Sequence, residues 1–236
     1  MRFDALKNDV WQANMKLAES GLVVLTWGNA SGVDRNSRVM AIKPSGVDYD
    51  GLRPDDIVIM SLDTNEVVEG SLRPSTDAPT HLVLYRSFET IGGVIHAHSP
   101  YTVSWAQACR EIPCLGTTHA DHFYGSVPLT RHLTPDEIKR GYEQRTGEVI
   151  VERFNQAQLS PDDMPGVLLP GHGAFVWGRN PTDAVKNGII LEEIAKMALF
   201  TLALNPEIRT IPEALLNSRE TTQDRRRRHE VRQESQ

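Results

Sequence analysis

Leu6, Val10, Ala13 and Leu17 recur at helical spacing and Gly21 follows them, which predicts an amphipathic helix over residues 3 to 20. Leu22 to Thr26 reads as a short apolar strand running into Trp27-Gly28-Asn29. Alternation resumes at Val39 to Lys43 after an Asp34-Arg35-Asn36-Ser37 turn, so a hairpin is expected, broken by a tight Pro44-Ser45-Gly46 loop. Ile57 to Leu62 and Val67-Val68 flank an Asp63-Thr64-Asn65 turn as a second hairpin. Pro79 opens a helix with Leu82, Tyr85 and Phe88 on one face, and Pro100 opens another carrying Tyr101, Trp105 and Ala108. Between them, Gly92-Gly93 leads into Val94-Ile95-His96-Ala97-His98-Ser99, whose β-branched pair marks a buried strand.

In the second half, Thr134-Pro135-Asp136-Glu137 has the form of a capping box with Pro at the first helical position. Val149, Ile150 and Phe154 supply the inner face of a further helix. Val167 to Leu169 and Ala174 to Trp177 read as strands on either side of Gly171-His172-Gly173. Asn180-Pro181 then starts the longest helix, whose Val185, Ile189, Met197 and Leu204 imply burial on most sides, in a deep core or at a subunit interface. Hairpins mixed with helices predict a single α/β domain over residues 1–216 with a mixed, largely antiparallel sheet. After Leu216 only Val231 is apolar, so residues 217–236 are expected to form a polar, mobile tail.

Composition narrows the function classes. Net charge is −6, and residues 217–236 hold six arginines against four acids, so the body is more acidic than the whole. That balance argues against a nucleic-acid scaffold and makes the Arg225–Arg228 run a solvated stretch of tail. No apolar run approaches the roughly 20 residues that span a bilayer, so no membrane partner is expected. The first residues lack the apolar core of a secretion signal, and Cys109 and Cys114 are expected to be free thiols, which together predict a cytoplasmic protein.

Side chains on a strand alternate, so His96 and His98 share a face. They form either half of a metal site or a polar pair on a solvated face. His172, bracketed by glycines, supplies a third imidazole, and three neutral nitrogens with one open position suit a catalytic zinc or another first-row divalent ion. Asp77, just ahead of a helix, is either its N-cap or a carboxylate turned towards that cation. Gly116 to Gly125 packs hydroxyls, imidazoles and Asp121 into one loop, suited to acid–base work or simply polar. Asn29, the Lys43-Pro44-Ser45-Gly46 turn and Ser75-Thr76 before a helix offer the hydroxyls, N–H groups and lysine that hold a phosphate.

Taken together, six stretches resemble the class II aldolase/epimerase family in its order and spacing over residues 4 to 216. They are Leu25 to Asn29, Ile42 to Tyr49, Pro74 to Asp77, Gly92 to Ser99, Gly116 to Gly125, and His172-Gly173 leading to Trp177-Gly178. The Thr117-Thr118-His119-Ala120-Asp121 loop, and aspartate at 77 where the family's aldolases carry Glu, bring the chain nearest the family's pentulose-phosphate 4-epimerases.

The resemblance implies a three-layer α/β/α sandwich around a mostly antiparallel sheet, assembled as a homotetramer with active sites between subunits. It implies Zn2+ on His96, His98 and His172, with Asp77 close by or coordinating. It implies a sugar phosphate on Asn29, Lys43, Ser45, Gly46, Ser75 and Thr76 (Ser in the family pattern), Thr117 belonging to the substrate-binding set, and Asp121 as an acid–base group. The implied activity interconverts L-ribulose 5-phosphate and D-xylulose 5-phosphate by breaking and remaking C3–C4. The alternatives are aldol cleavage of another sugar phosphate and an impaired epimerase. The tail is the departure: the epimerases carry a tail tyrosine that reaches a neighbouring site, whereas here no tyrosine follows Tyr142. Arg219 stands at the family's histidine, and His229, near the tyrosine position, is the candidate second acid–base group.

Overall fold

The first helix, α1 (Asp4–Glu19), buries the expected stripe of Val10, Ala13 and Leu17. Strand β1 (Asn29–Asp34) turns into β2 (Val39–Ile42), with the Asp34 carboxylate accepting the N–H groups of Asn36 and Ser37 inside the turn. A second hairpin joins β3 (Val58–Ser61) to β4 (Val67–Glu69). Helix α2 (Ala78–Ser87) leads to β5 (Gly93–Ala97) and α3 (Pro100–Gln107). Short α4 (Thr117–Ala120) and long α5 (Pro135–Gln156) precede β6 (Gly166–Leu168), β7 (Ala174–Gly178) and α6 (Pro181–Leu204). This computed structural model describes residues 2–218; the tail with Arg219 and His229 lies outside the described residues.

The seven strands form one sheet in the order β4-β3-β2-β1-β5-β7-β6. Every ladder among them is antiparallel, and the parallel element is an isolated bridge, Leu129–Leu168, so the sheet is less mixed than its sequence implies. Alternation sorts the layers. Gly32 lies against Val10 and Pro181 while Ile95 meets Gly188, which puts α1 and α6 on one face. Ser31 points the other way, its hydroxyl 2.7 Å from His81 Nδ1 and 2.8 Å from the Tyr85 hydroxyl, so α2 covers the second face. Helix α5 packs on α2, completing the three-layer α/β/α sandwich.

One expectation fails for an identifiable reason. Leu22 to Thr26 is not a strand: Leu25 has φ 54°, and the Trp27 N–H returns to the Val24 carbonyl at 3.0 Å. Left-handed backbone cannot sit inside a ladder, so this apolar run is a turn displaying Val24, Leu25 and Trp27. Of the two alternatives for α6, a deep core accounts for one side only, which leaves a subunit interface for the other. Val185, Leu191, Ile194 and Ala198 face the core, whereas Ile189, Met197, Phe200 and Leu204 are exposed.

Polar ties lock the layers. The Asn14 amide exchanges hydrogen bonds with the backbone of Ala30, one residue past the last β1–β2 pair. Arg35 donates to the carbonyls of Tyr85, Phe88 and Ile91, closing the end of α2. Ser99 precedes α3 without capping it; the buried Glu192 carboxylate of α6 does so instead. It accepts the N–H groups of Tyr101 and Thr102 at 2.9 Å and the hydroxyls of Ser99 and Thr102 at 2.7 Å. Gly92 and Gly93 admit the start of α6: a Cβ would lie 1.9 Å from the Arg179 carbonyl oxygen at Gly92 and 2.4 Å from Pro181 N at Gly93.

A glutamine at 192 turns an NH2 towards donors and removes the charge from these bonds, so Glu192→Gln is expected to cost about 2–3 kcal/mol. Urea unfolding measures it; a midpoint equal to wild type refutes the capping role.

Candidate metal and active site

Register places the first ligand. His96 of β5 pairs with Asn29 of β1 on one side and Phe175 of β7 on the other. The Phe175 ring stacks on the imidazole at 4.3 Å, and His96 Nδ1 donates to the Ala174 carbonyl at 2.9 Å. With its proton committed there, Nε2 carries the lone pair. His98, one residue past the end of β5, brings its Nε2 to 2.9 Å from that of His96. His172 enters from the turn between β6 and β7. Gly173 permits this, because a Cβ there would lie 2.9 Å from the Ala97 carbonyl oxygen and 3.0 Å from His98 Cδ2.

Nitrogens of the three imidazoles lie within 4.8 Å of one another. A tetrahedral ion with bonds of about 2.1 Å spaces its ligands about 3.4 Å apart, so three converging lone pairs at this range fit a divalent metal after small side-chain adjustments. Electrostatics favour the same group. Burial pushes His172 down to about 4, helped by His96 and His98 and opposed by Asp77. Burial and His96 also lower His98. Burial alone raises Asp77, but His96, His81, the Asn29 amide and His172 outweigh it and hold the carboxyl below its ordinary value. Imidazoles whose protonation is disfavoured at His98 and His172, beside a carboxyl that is held ionised, are donor chemistry that a divalent cation takes.

Asp77 occupies the N-cap position of α2, yet its side chain makes no capping bond. Its Oδ2 instead accepts from Asn29 Nδ2 at 2.7 Å, and the same amide donates to Ser75 Oγ at 3.1 Å. The Lys43–Gly46 and Arg73–Thr76 segments are tied together, Ser45 N to Arg73 O at 2.9 Å and Ser75 N to Lys43 O at 3.0 Å. Asn29, Lys43, Ser45, Ser75 and Asp77 therefore form one connected network beside the histidines. Thr76 is exposed, and Gly46, at φ 71°, faces open space. Lys43 is drawn under its turn: it is 2% exposed, donates to the Val47 carbonyl and lies 4.8 Å over the Tyr49 ring. Burial pulls its pKa down, with Asp48 opposing.

Thr117 and Asp121 lie at the two ends of α4. The Asp121 N–H donates to the Thr117 carbonyl at 2.8 Å, and Asp121 is not part of the histidine cluster. The chain's last described residues return to this loop: Tyr124 donates to Asn217 Oδ1 at 2.6 Å and Ile211 N to the Cys114 carbonyl at 2.9 Å. Two residues at the triad went unread in the sequence. Trp27, half exposed, has its ring 6.5 Å from that of His98, and the Tyr142 hydroxyl is 3.0 Å from His172 Nδ1. A glycine inside a helical segment, Gly141, was the available signal for the second.

Residues 8–199 match the family described as class II aldolase and adducin N-terminal domain. The chain belongs to this family. Among solved structures, an L-fuculose 1-phosphate aldolase aligns at 25% identity with a TM-score of 0.76, over 92% of this chain and 95% of its own. YgbL of Escherichia coli, described as a candidate aldolase/epimerase/decarboxylase, aligns at 22% identity with a TM-score of 0.72 over 92% of this chain and 99% of its own. The L-fuculose-1-phosphate aldolase of Thermus thermophilus gives 23% and 0.63 over 87% and 98%. The class II aldolase fold is thus the scaffold on which the triad is mounted. Among the described residues no helix is long and apolar enough to cross a membrane, and both cysteines are free.

Two more imidazoles of this class II aldolase fold are fully or almost fully buried. His81 and His119 each have an Nε2 without a hydrogen-bond partner among the described residues. Burial pushes His81 down to about 3, against the pull of Asp77, and His119 to about 4, against its Gly125 backbone bond. Both values lie below that of free imidazole. As pH falls from about 6.5 to about 4, the unfolded chain takes up protons that the folded chain refuses, and each group removes about 1.4 kcal/mol of stability per pH unit. Urea unfolding at about pH 7 and pH 5 is expected to show the loss, and His119→Gln to reduce its slope by one imidazole's share. An unchanged slope in that variant rules out the assignment to His119.

Proposed function

We propose that this member of the class II aldolase family is a Zn2+-dependent 4-epimerase that interconverts L-ribulose 5-phosphate and D-xylulose 5-phosphate. The observation that carries the reading is the Asn29 amide joining Asp77 at the triad to Ser75 in the paired turns. The residues we assign to the metal and those we assign to the phosphate thereby belong to one hydrogen-bonded network, which supports their acting on one small substrate. His96, His98 and His172 hold the ion, with Asp77 as the adjoining carboxylate. When bound, the ion supplies a Lewis acid for the charge that develops on the oxygens at C2 and C3.

The chain's own groups do the rest. Ser45, the Gly46 backbone, Ser75 and Thr76 receive the phosphate, and Lys43 braces their turn from beneath while adding positive charge. C4 carries no acidic proton, so its inversion needs cleavage of C3–C4. A base takes the C4 hydroxyl proton, the C4 carbonyl forms, and the electron pair of the broken bond is left on C3 and the C2 oxygen. The phosphate tether keeps the two-carbon aldehyde in place while it rotates, and the bond re-forms on the opposite face as an acid returns a proton. Asp121 serves one of these roles, Thr117 contacts the substrate, and His229 takes the other role. The assembly we infer is a homotetramer with active sites between copies. The exposed apolar side of α6 is the surface we assign to that assembly.

A second reading is aldol cleavage without re-addition. It is favoured by the absence of any tyrosine after Tyr142 and by the likeness to fuculose-phosphate aldolases.

Incubation with L-ribulose 5-phosphate, followed by NMR, separates the readings. D-xylulose 5-phosphate is expected from the full-length chain and is lost after truncation at Leu216, while His96→Ala abolishes both metal content and turnover. Net release of glycolaldehyde phosphate establishes the aldolase in its place, and full metal content in His96→Ala sinks the triad assignment.

Binding felt equally in ground and transition states alters KM more than kcat. Lys43→Met is accordingly expected to raise KM for the sugar phosphate about tenfold with kcat within a few-fold. Unchanged KM, with unchanged inhibition by inorganic phosphate, places the phosphate elsewhere.

A further inference from the structure

Helix α5 is interrupted at Gly141, whose φ 136° and ψ 84° are not helical, and Tyr142 is the first residue past the break. The segment that follows is clamped to α2. The Thr80 hydroxyl donates to the Glu143 carbonyl, and Gly147 approaches Val83 so closely that a Cβ there would lie 2.7 Å from Val83 Cβ. Thr146 Oγ1 donates back to the Tyr142 carbonyl at 2.8 Å, continuing the helix from this point. Tyr142 is therefore delivered by rigid backbone, and its hydroxyl lies 3.0 Å from His172 Nδ1, with the two rings 5.9 Å apart.

His172 and His96 are held in different ways. His96 is gripped from both sides, by the Ala174 carbonyl on Nδ1 and the Phe175 ring on its face. The backbone of His172 is fixed, with its N–H on the Leu169 carbonyl at 3.1 Å and Gly173 packed against Ala97, but that leaves the rotation of its ring to be set by a side-chain partner. A neutral imidazole has two tautomers, and only one presents the Nε2 lone pair.

We propose that Tyr142 is a positioning residue for His172: the Nδ1 proton of His172 is donated to the Tyr142 hydroxyl oxygen, which fixes the ring and turns Nε2 towards the metal. The assignment rests on the metal reading of the triad and goes beyond it, since Tyr142 is neither a ligand nor a participant in the carbon chemistry. Asp77 and Tyr142 then reach the site by one route, since α2 starts just after Asp77 and the clamp on its next turn seats Tyr142.

Tyr142→Phe removes one oxygen and keeps the ring. Zn2+ affinity, measured by competition with a chelator, is expected to fall 10- to 100-fold, the usual effect of losing an outer partner of a metal-bound histidine. The visible absorption of the Co2+-loaded protein is expected to change with it, and the unfolding midpoint of the metal-free protein to stay at the wild-type value. Zn2+ affinity within twofold of wild type, or a fall matched by an equal loss of metal-free stability, overturns the assignment. His96→Ala separates the two levels. Wild-type protein that takes up no Zn2+ defeats the metal reading and this one together. Uptake lost in His96→Ala but unchanged in Tyr142→Phe defeats the tyrosine assignment alone.

Discussion

The site depends first on the antiparallel register of β5 between β1 and β7. That register sets Asn29, His96 and Phe175 in one row across three strands. A slip of one residue would turn His96 onto the α6 face and bring Ile95 to the site, because successive side chains point to opposite faces. It would also strand Asp77, whose carboxylate is held away from its own helix by the Asn29 amide. One choice of register thus positions a ligand, the ring stacked on it and the neighbouring negative charge.

What holds the register is a set of short ties between layers rather than apolar area alone. The start of α6 rests on bare backbone at Gly92 and Gly93, Glu192 pins the chain just beyond His98 to α6, and Arg35 secures α2 from the β1–β2 turn. Each tie satisfies buried polar groups that would otherwise be costly, so each also excludes other arrangements of the same elements.

Much of this was legible in the chain. Strand alternation put His96 and His98 together, flanking glycines marked His172, and Pro79, Pro100, Thr134 and Asn180 marked helix starts that the structure places within a residue or two. The rest is all tertiary. Leu22 to Thr26 has strand composition, but the chain must double back there to deliver Asn29, and Leu25 takes a left-handed conformation to do so. An apolar helix pattern does not distinguish a face buried within the chain from one left outside, hence the exposed side of α6. Lys43 carries the residue type of an anion site, yet which way its ammonium turns is decided by Val47 and Tyr49. Tyr142 lies 30 positions from His172, and no local pattern links them.

Gly173 has a consequence for how this scaffold diverges. Thr76 faces outwards, so its side chain can change at little steric cost. The space around the triad tolerates no such change, because a single carbon at 173 meets the Ala97 carbonyl oxygen at 2.9 Å, and one at 92 or 93 meets α6 closer still. The site can therefore be redecorated through its side chains but not through its backbone. A redesign that keeps the histidines but puts a side chain at 173 would lose the geometry that makes them ligands.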